Sequence, residues 1–361
     1  MTLNDISNTR LHNHQIATGN FKRAKDLVAW MGAMQAQDYS MAKWAIGVRM
    51  PGSNDVSVED ALCKGELIRT HLLRPTWHIV SSSDIYWILE LTAPHLKPLL
   101  RARFRQLEIT EALVSKSKTI IEKALSGGNH LTRDEIMNEL NNAHIEAVNL
   151  RLSHLMMACE LDGIVCNGIN KGKKLTYALL EERVSRPRSI PREEALAELA
   201  RRYFTSHGPA TLHDFIWWSG LPVKDARNSL EAIKNDFIFE AVGNQILCFS
   251  DSNPMDPKLN QSAYLLPAYD ELIISYRDRN ALIASVNNKN AISSNGIFYP
   301  ILVANGQVKG TWKRTLKKDK VFIEPVYFQA NDHLPYDLLE NAAVRYGNFI
   351  NLNPEILNRP E

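Results

Sequence analysis

Thr132-Arg-Asp-Glu135 and Ile164-Val-Cys-Asn-Gly-Ile-Asn-Lys-Gly-Lys-Lys-Leu-Thr-Tyr-Ala178 are the stretches whose reading decides the fold. A threonine followed three residues later by glutamate is a capping box, because each side chain can satisfy a backbone N–H that the first helical turn leaves open. Before it, Val114 to Leu125 has apolar residues at helical spacing, and Ser126-Gly-Gly-Asn129 breaks the pattern. A further helical pattern runs from about Val148 to Leu161, and 164–178 then reads as two strands around a loop rich in glycine and lysine. Three helices followed by a basic hairpin describe a winged helix, a variant of the helix-turn-helix.

The same plan recurs on both sides. After the proline-marked linker Ser185-Arg-Pro-Arg-Ser-Ile-Pro191, helical patterns at 192–206, 211–219 and 223–234 precede a hairpin at 237–249. Upstream, helical patterns at about 21–34, 40–48 and 57–65 precede an extended stretch, Leu67 to Ser81, in which Pro75 allows only an edge or a bulge. Beyond 285, Gly296–Val303, Val308–Thr315 and Val321–Tyr327 alternate, with Asn305-Gly306 as a hairpin turn. The expected architecture is α+β: tandem winged helices at 1–110, 111–187 and 188–262, then a C-terminal β domain at 263–361.

Composition narrows the function. A chain of 361 residues exceeds one ordinary core. No run reaches the roughly 18 apolar residues of a membrane span, and Met1-Thr-Leu-Asn-Asp-Ile-Ser-Asn is not a secretory leader, so a cytoplasmic protein is expected. Cys63, Cys159, Cys166 and Cys248 lack metal-ligand spacing, which predicts reduced thiols and no metal or other cofactor. Net charge is only +2, yet the basic residues are grouped. Lys97, Arg101, Arg103 and Arg105 form one cluster, Lys171, Lys173 and Lys174 a second, and Lys309, Lys313, Arg314, Lys317, Lys318 and Lys320 a third. Such groups suit phosphate contacts on DNA. Tandem copies in one chain point to a monomeric clamp around a duplex, whereas most regulators read two half-sites as dimers.

The chemistry rests on Gln35-Ala36-Gln37, where a helical pattern meets a turn. In extended backbone two amides flanking one small residue reach the same side. A glutamine is no base, but its carbonyl can orient a water while its NH2 donates elsewhere. That suits hydrolysis in which placing the nucleophile is most of the task, as for a cationic alkylated purine that already leaves well. Asp38 follows directly and stays open as the acid.

Around this motif, 27–49 and 68–80 (Ile68-Arg-Thr-His-Leu-Leu-Arg-Pro-Thr-Trp-His-Ile-Val80) resemble the winged-helix DNA glycosylases of the azinomycin-resistance, AlkZ-like type. The likeness continues through Leu265-Leu-Pro-Ala-Tyr-Asp-Glu-Leu-Ile-Ile-Ser-Tyr-Arg-Asp-Arg279 and 295–314, almost the whole chain. It implies a catalytic Gln35 and Gln37, an open channel that reaches the lesion inside the duplex, and excision of N7-alkylguanine, with N3-alkyladenine second and crosslink unhooking included. The alternatives are a non-catalytic winged-helix regulator and a protein-interaction module.

Other residues carry paired readings. Alternation through 70–77 puts Thr70, Leu72, Arg74 and Thr76 on one face, and Arg74 is the candidate phosphate contact beside the site. His78 reads as structural or as a proton donor, and Trp44 and Trp77 as core. Asp270-Glu271 with Arg277-Asp278-Arg279 reads as an interdomain ion-pair network before an acid/base pair. Trp312-Lys313-Arg314 reads as a backbone contact, a wedge at the lesion, or a strand with a basic outer face.

Overall fold

The computed structural model describes residues 1–187, 189–250 and 262–357. Arg188 of the expected linker, and 251–261 and 358–361 of the expected third and fourth units, lie outside them. The chain begins with α1 (Leu3–Asn13), α2 (Ala24–Met31), β1 (Met34–Gln35), α3 (Tyr39–Gly47), α4 (Asp55–Cys63), β2 (Leu67–Leu72), β3 (Thr76–Ser81) and α5 (Ile85–Gln106). Two features correct the expected layout. The helical stretch expected to 34 ends at Met31, because Gly32 takes a positive φ (76°), which glycine adopts without a Cβ penalty and which turns the chain out of the helix. The extended stretch 67–81 is a hairpin that turns at Leu73-Arg74-Pro75, with Leu72 opposite Thr76, so alternation does not run through the turn. β3 is central in the sheet order β1-β3-β2, which places Gln35 beside His78.

Helix α5 escaped the sequence reading because Pro94 and Pro98 look like breakers. They are four residues apart and exposed, so the carbonyls they release face water. Next come α6 (Glu111–Leu125), β4 (Leu131–Thr132), α7 (Arg133–Asn142), α8 (Asn149–Leu161), β5 (Val165–Asn167), β6 (Thr176–Leu179) and the single turn α9 (Leu180–Arg183). Thr132 and Glu135 form the expected capping box, and Ile121, Leu125, Ile136, Leu140, Leu152 and Leu155 fill a core of their own.

A second run of three helices and a hairpin follows: α10 (Arg192–Ser206), α11 (Leu212–Ser219), α12 (Val223–Ile233), β7 (Ile238–Val242) and β8 (Gln245–Phe249). Its core, with Tyr203, Phe204, Phe215 and Trp218 buried, is continuous with that of the first segment. The chain closes with β9 (Ala263–Leu266), the short helices α13 (Glu271–Ile274) and α14 (Asn288–Ala291), β10 (Ile301–Ala304), β11 (Gln307–Leu316), β12 (Lys320–Tyr327), α15 (Tyr336–Ile350) and β13 (Asn353–Ile356). The strands form a curled half-barrel in the order β13-β12-β11-β10-β9, so the fold is α+β. Helix α15 was not foreseen, although Leu339, Ala342, Ala343 and Tyr346 repeat at helical spacing and are buried. Its Tyr346 packs edge-on to both Trp44 and Trp312 at 5.1 Å, which ties α3 to the half-barrel. No helix among the described residues is long and apolar enough to cross a membrane.

Candidate active site

Gly32 stops α2 and Asp38 starts α3, so the residues between them are held extended. Gln35 is 5% exposed while Gln37 is exposed, so the two amides meet solvent differently. Gln35 Oε1 accepts from Arg74 Nη2 and from Thr76 Oγ1, each at 3.2 Å. Facing two donors, the oxygen end of this amide is fixed and the NH2 is the end left over. Gln37 has no hydrogen bond among the described residues.

The main chain of the motif is fastened at three points. The Gln35 N–H donates to Glu271 Oε1 at 2.5 Å, and the Ala36 N–H donates to the Trp77 carbonyl at 2.7 Å. Arg69 donates through Nε (3.1 Å) and Nη2 (3.0 Å) to the Ala36 carbonyl, and its guanidinium lies 3.9 Å from the centre of the Trp77 ring. Glu271 Oε2 accepts from Trp218 Nε1 at 3.2 Å and from the Ser275 hydroxyl. Burial alone would raise the Glu271 carboxyl, but His207, Ser275 and the Arg74 guanidinium outweigh it and bring it down to about 2. The carboxylate is therefore ionised at neutral pH.

A pocket of about 490 Å³ opens over the motif. Gln35, Gln37, Arg74 and Trp77 form one side, and Trp217, Tyr269 and Phe298 from the third helical unit and the C-terminal segment form another. Trp217 is anchored by donating Nε1 to the Ile274 carbonyl at 2.8 Å. His71 lines the same pocket and hands Nδ1 to the buried Glu160 of α8.

Asp38 does not line the pocket. Its Oδ1 accepts from the Met41 N–H and the Ser40 hydroxyl, both at 3.0 Å, which is the geometry of a helix N-cap. Arg74, read from sequence as a phosphate contact, turns onto Gln35 instead. His78 is fully buried, and burial first, then Arg74, lower its pKa to about 3, so it is neutral at neutral pH and is no general acid. Trp44 is core, as expected, whereas Trp77 is half-buried and lines the pocket. Asp270 forms the expected ion pair, two bonds of 2.8 Å to the buried Arg49, while the neighbouring Glu271 reaches the motif itself. Trp312 is 1% exposed and donates to the Leu266 carbonyl, which rules out its reading as a wedge.

The basic groups divide. Lys171, Lys173 and Lys174 are exposed between β5 and β6, but Lys171 pairs with Glu135 (2.8 Å) and Lys174 with Asp134 (3.7 Å). Lys309 pairs with Asp332 at 3.1 Å. Arg314 bonds the Tyr346 hydroxyl and, at 2.7 Å, the Ser40 hydroxyl, next to Asp38. Lys173 and Lys313 are exposed and have no ion pair among the described residues. The contacts of Glu271, Arg69 and Trp217 with this site had no sequence signal, since each arrives from a distant segment.

The whole fold matches a known class. The solved DNA glycosylase AlkZ of Streptomyces sahachiroi superposes with a TM-score of 0.79 at 19% identity, covering 99% of this chain and 100% of that one. A curated interstrand DNA cross-link repair glycosylase from the same organism is 23% identical over 340 residues, 89% of each chain. The family model described as DNA glycosylase AlkZ-like matches residues 28–349, and the chain belongs to that family. DNA glycosylases are hydrolases of DNA repair, and membership implies a damaged-DNA substrate.

Proposed function

We propose that the chain is a monofunctional DNA glycosylase that hydrolyses the N-glycosidic bond of cationic alkylated purines in duplex DNA. N7-alkylguanine is the chief substrate, N3-alkyladenine the second, and interstrand crosslinks are unhooked by the same reaction. Three winged helices, at 1–110, 111–187 and 188–262, and the β domain at 263–361 act as a monomeric clamp. The observation that carries this reading is the pair of unlike amides under one pocket. Gln35, its oxygen held by Arg74 and Thr76, presents its NH2 group to donate to the water oxygen. Gln37 presents a free carbonyl that orients a water proton. Water is thereby placed with a lone pair toward C1′ as the base departs, and no strong base is needed for a leaving group that is already positive. Glu271, Arg74 and the DNA phosphates shape the field felt by the oxocarbenium-like sugar.

The test is incubation with duplex DNA containing N7-methylguanine, with detection of the free base and of alkali-labile abasic sites. Release of 7-methylguanine that is lost in Gln35→Ala is the expected result. Tight duplex binding with no base released from any alkylated duplex would overturn the assignment.

A further inference from the structure

We infer that Arg69 and Glu271 are positioning residues for catalysis, a peptide clamp that sets the direction of both glutamines. This rests on the proposed glycosylase reading. The motif has very little secondary structure of its own, since β1 is two residues long and the chain leaves the sheet at Ala36. Two buried charged groups take the place of a longer strand. Glu271 holds the peptide N–H before the Gln35 side chain, and Arg69 holds the Ala36 carbonyl with two converging bonds. Between them they fix the peptide planes on either side of the Gln35–Ala36 unit, and from those planes the two side chains project. Bonds of charged groups to backbone are stronger than neutral ones, so these contacts stand in for the ladder that the two-residue strand lacks.

Each clamp is itself held. Arg69 is packed against the Trp77 ring, whose own carbonyl takes the Ala36 N–H, so the clamp and the hairpin move together. Glu271 is 1% exposed and also accepts from Trp218 of α11 and from Ser275. The direction of the catalytic strand therefore depends on a carboxylate from the C-terminal segment, itself aligned by the third helical unit. Neither residue needs to touch DNA. A misplacement near 1 Å at a reacting group costs on the order of 100-fold in rate, which is the scale of effect that such a clamp can exert.

The experiment is a double-mutant cycle on single-turnover release of 7-methylguanine, with duplex affinity measured alongside. Arg69→Lys keeps the charge but lacks the two-donor fork that converges on the Ala36 carbonyl, and Glu271→Gln keeps the shape but puts an NH2 against one of its donors. Each is expected to slow release by about 10- to 100-fold with duplex affinity within about twofold. Adding Gln35→Ala to either is expected to cost much less than it does in the wild type, because residues acting as a unit are not additive. A merely structural contribution would leave the Gln35→Ala factor unchanged in the variant background, and that result, or wild-type rates in both single variants, overturns the inference. Should Glu271→Gln not fold, the Arg69→Lys cycle decides alone. Absence of base release in the wild type would instead overturn the glycosylase reading.

Discussion

At the scale of single residues, the two glutamines are chemically alike and structurally unlike. Gln35 is buried with its oxygen committed, and Gln37 is exposed with both ends open. Gln35→Ala removes a fixed donor, and single-turnover base release is expected to fall by about 100- to 1000-fold, the cost of losing one preorganised hydrogen-bond donor. Gln37→Ala is expected to cost less, about 10- to 100-fold, because a solvent-facing amide is less fixed. Asp38→Asn keeps the N-cap, so a rate close to wild type is expected, and a larger loss there than at Gln37 would transfer the role to Asp38. Titration gives a separate residue-scale expectation. His78 is neutral when folded, with a pKa of about 3 against an ordinary value near 6.5, and burial also lowers His14 and His207. A lowered folded value means that the unfolded chain binds protons first as pH falls. The stability these residues contribute is thus present above about pH 6.5 and lost below it, at up to about 1.4 kcal/mol per pH unit and per group. Urea unfolding at pH 7 and pH 5 should show the decline, and His78→Asn should make it shallower. An unchanged slope would mean that His78 takes up its proton without unfolding.

At the scale of elements, the hairpin carrying Arg74 is buttressed by the end of another helix. Gly220 closes α11 in a left-handed conformation, φ 68°, and a Cβ there would sit 2.5 Å from the Leu73 carbonyl oxygen and 3.7 Å from Arg74 Cγ. Gly220→Ala is expected to cost about 1–3 kcal/mol from backbone strain, with a further contribution from that contact, and to slow base release by displacing Arg74 from Gln35. A melting temperature and rate equal to wild type would show that the turn yields freely. The same element explains what sequence could and could not say. Gly220-Leu-Pro222 was readable as the turn between two helices because glycine and proline report local backbone needs. The capping box at Thr132 and the Asn305-Gly306 turn were local signals too, the latter with φ of 50° and 77°. The reversal at Leu73-Arg74-Pro75 had only Pro75 as a signal, which reads as an edge or a bulge, since Leu73 adopts φ 57° without being glycine, asparagine or aspartate. Gln35 and Gln37 were legible as candidates because both lie in one short motif. The bonds that aim them come from residues 33 and 236 positions away in the chain, a separation at which periodicity carries no information.

At the scale of the whole molecule, near-zero net charge does not exclude a DNA substrate, because the clustered lysines differ in whether an acid already answers them. Lys171, Lys174, Lys309 and Lys320 each have a carboxylate partner, whereas Lys173 and Lys313 do not among the described residues. If Lys173 and Lys313 hold phosphates, their removal weakens binding to every duplex alike and lowers the slope of log affinity against log salt by about 0.9 per contact. Lys309→Ala should change that slope less, because its charge is shared with Asp332, and an effect confined to one DNA sequence would point to base readout. The reaction itself gives the widest test, since the arrangement of the whole site fixes which bases can leave. Gln35 and Gln37 donate and accept but do not exchange protons at neutral pH, and His78 is held neutral, so none of the three can protonate a departing base. On the proposed mechanism a leaving group must therefore carry its positive charge on arrival. The protein is expected to release 7-methylguanine and 3-methyladenine and to leave uracil, hypoxanthine and undamaged guanine in place, measured as free base from otherwise identical duplexes. Efficient uracil release would require an acid, and the His71–Glu160 pair lining the same pocket would then become the group to mutate.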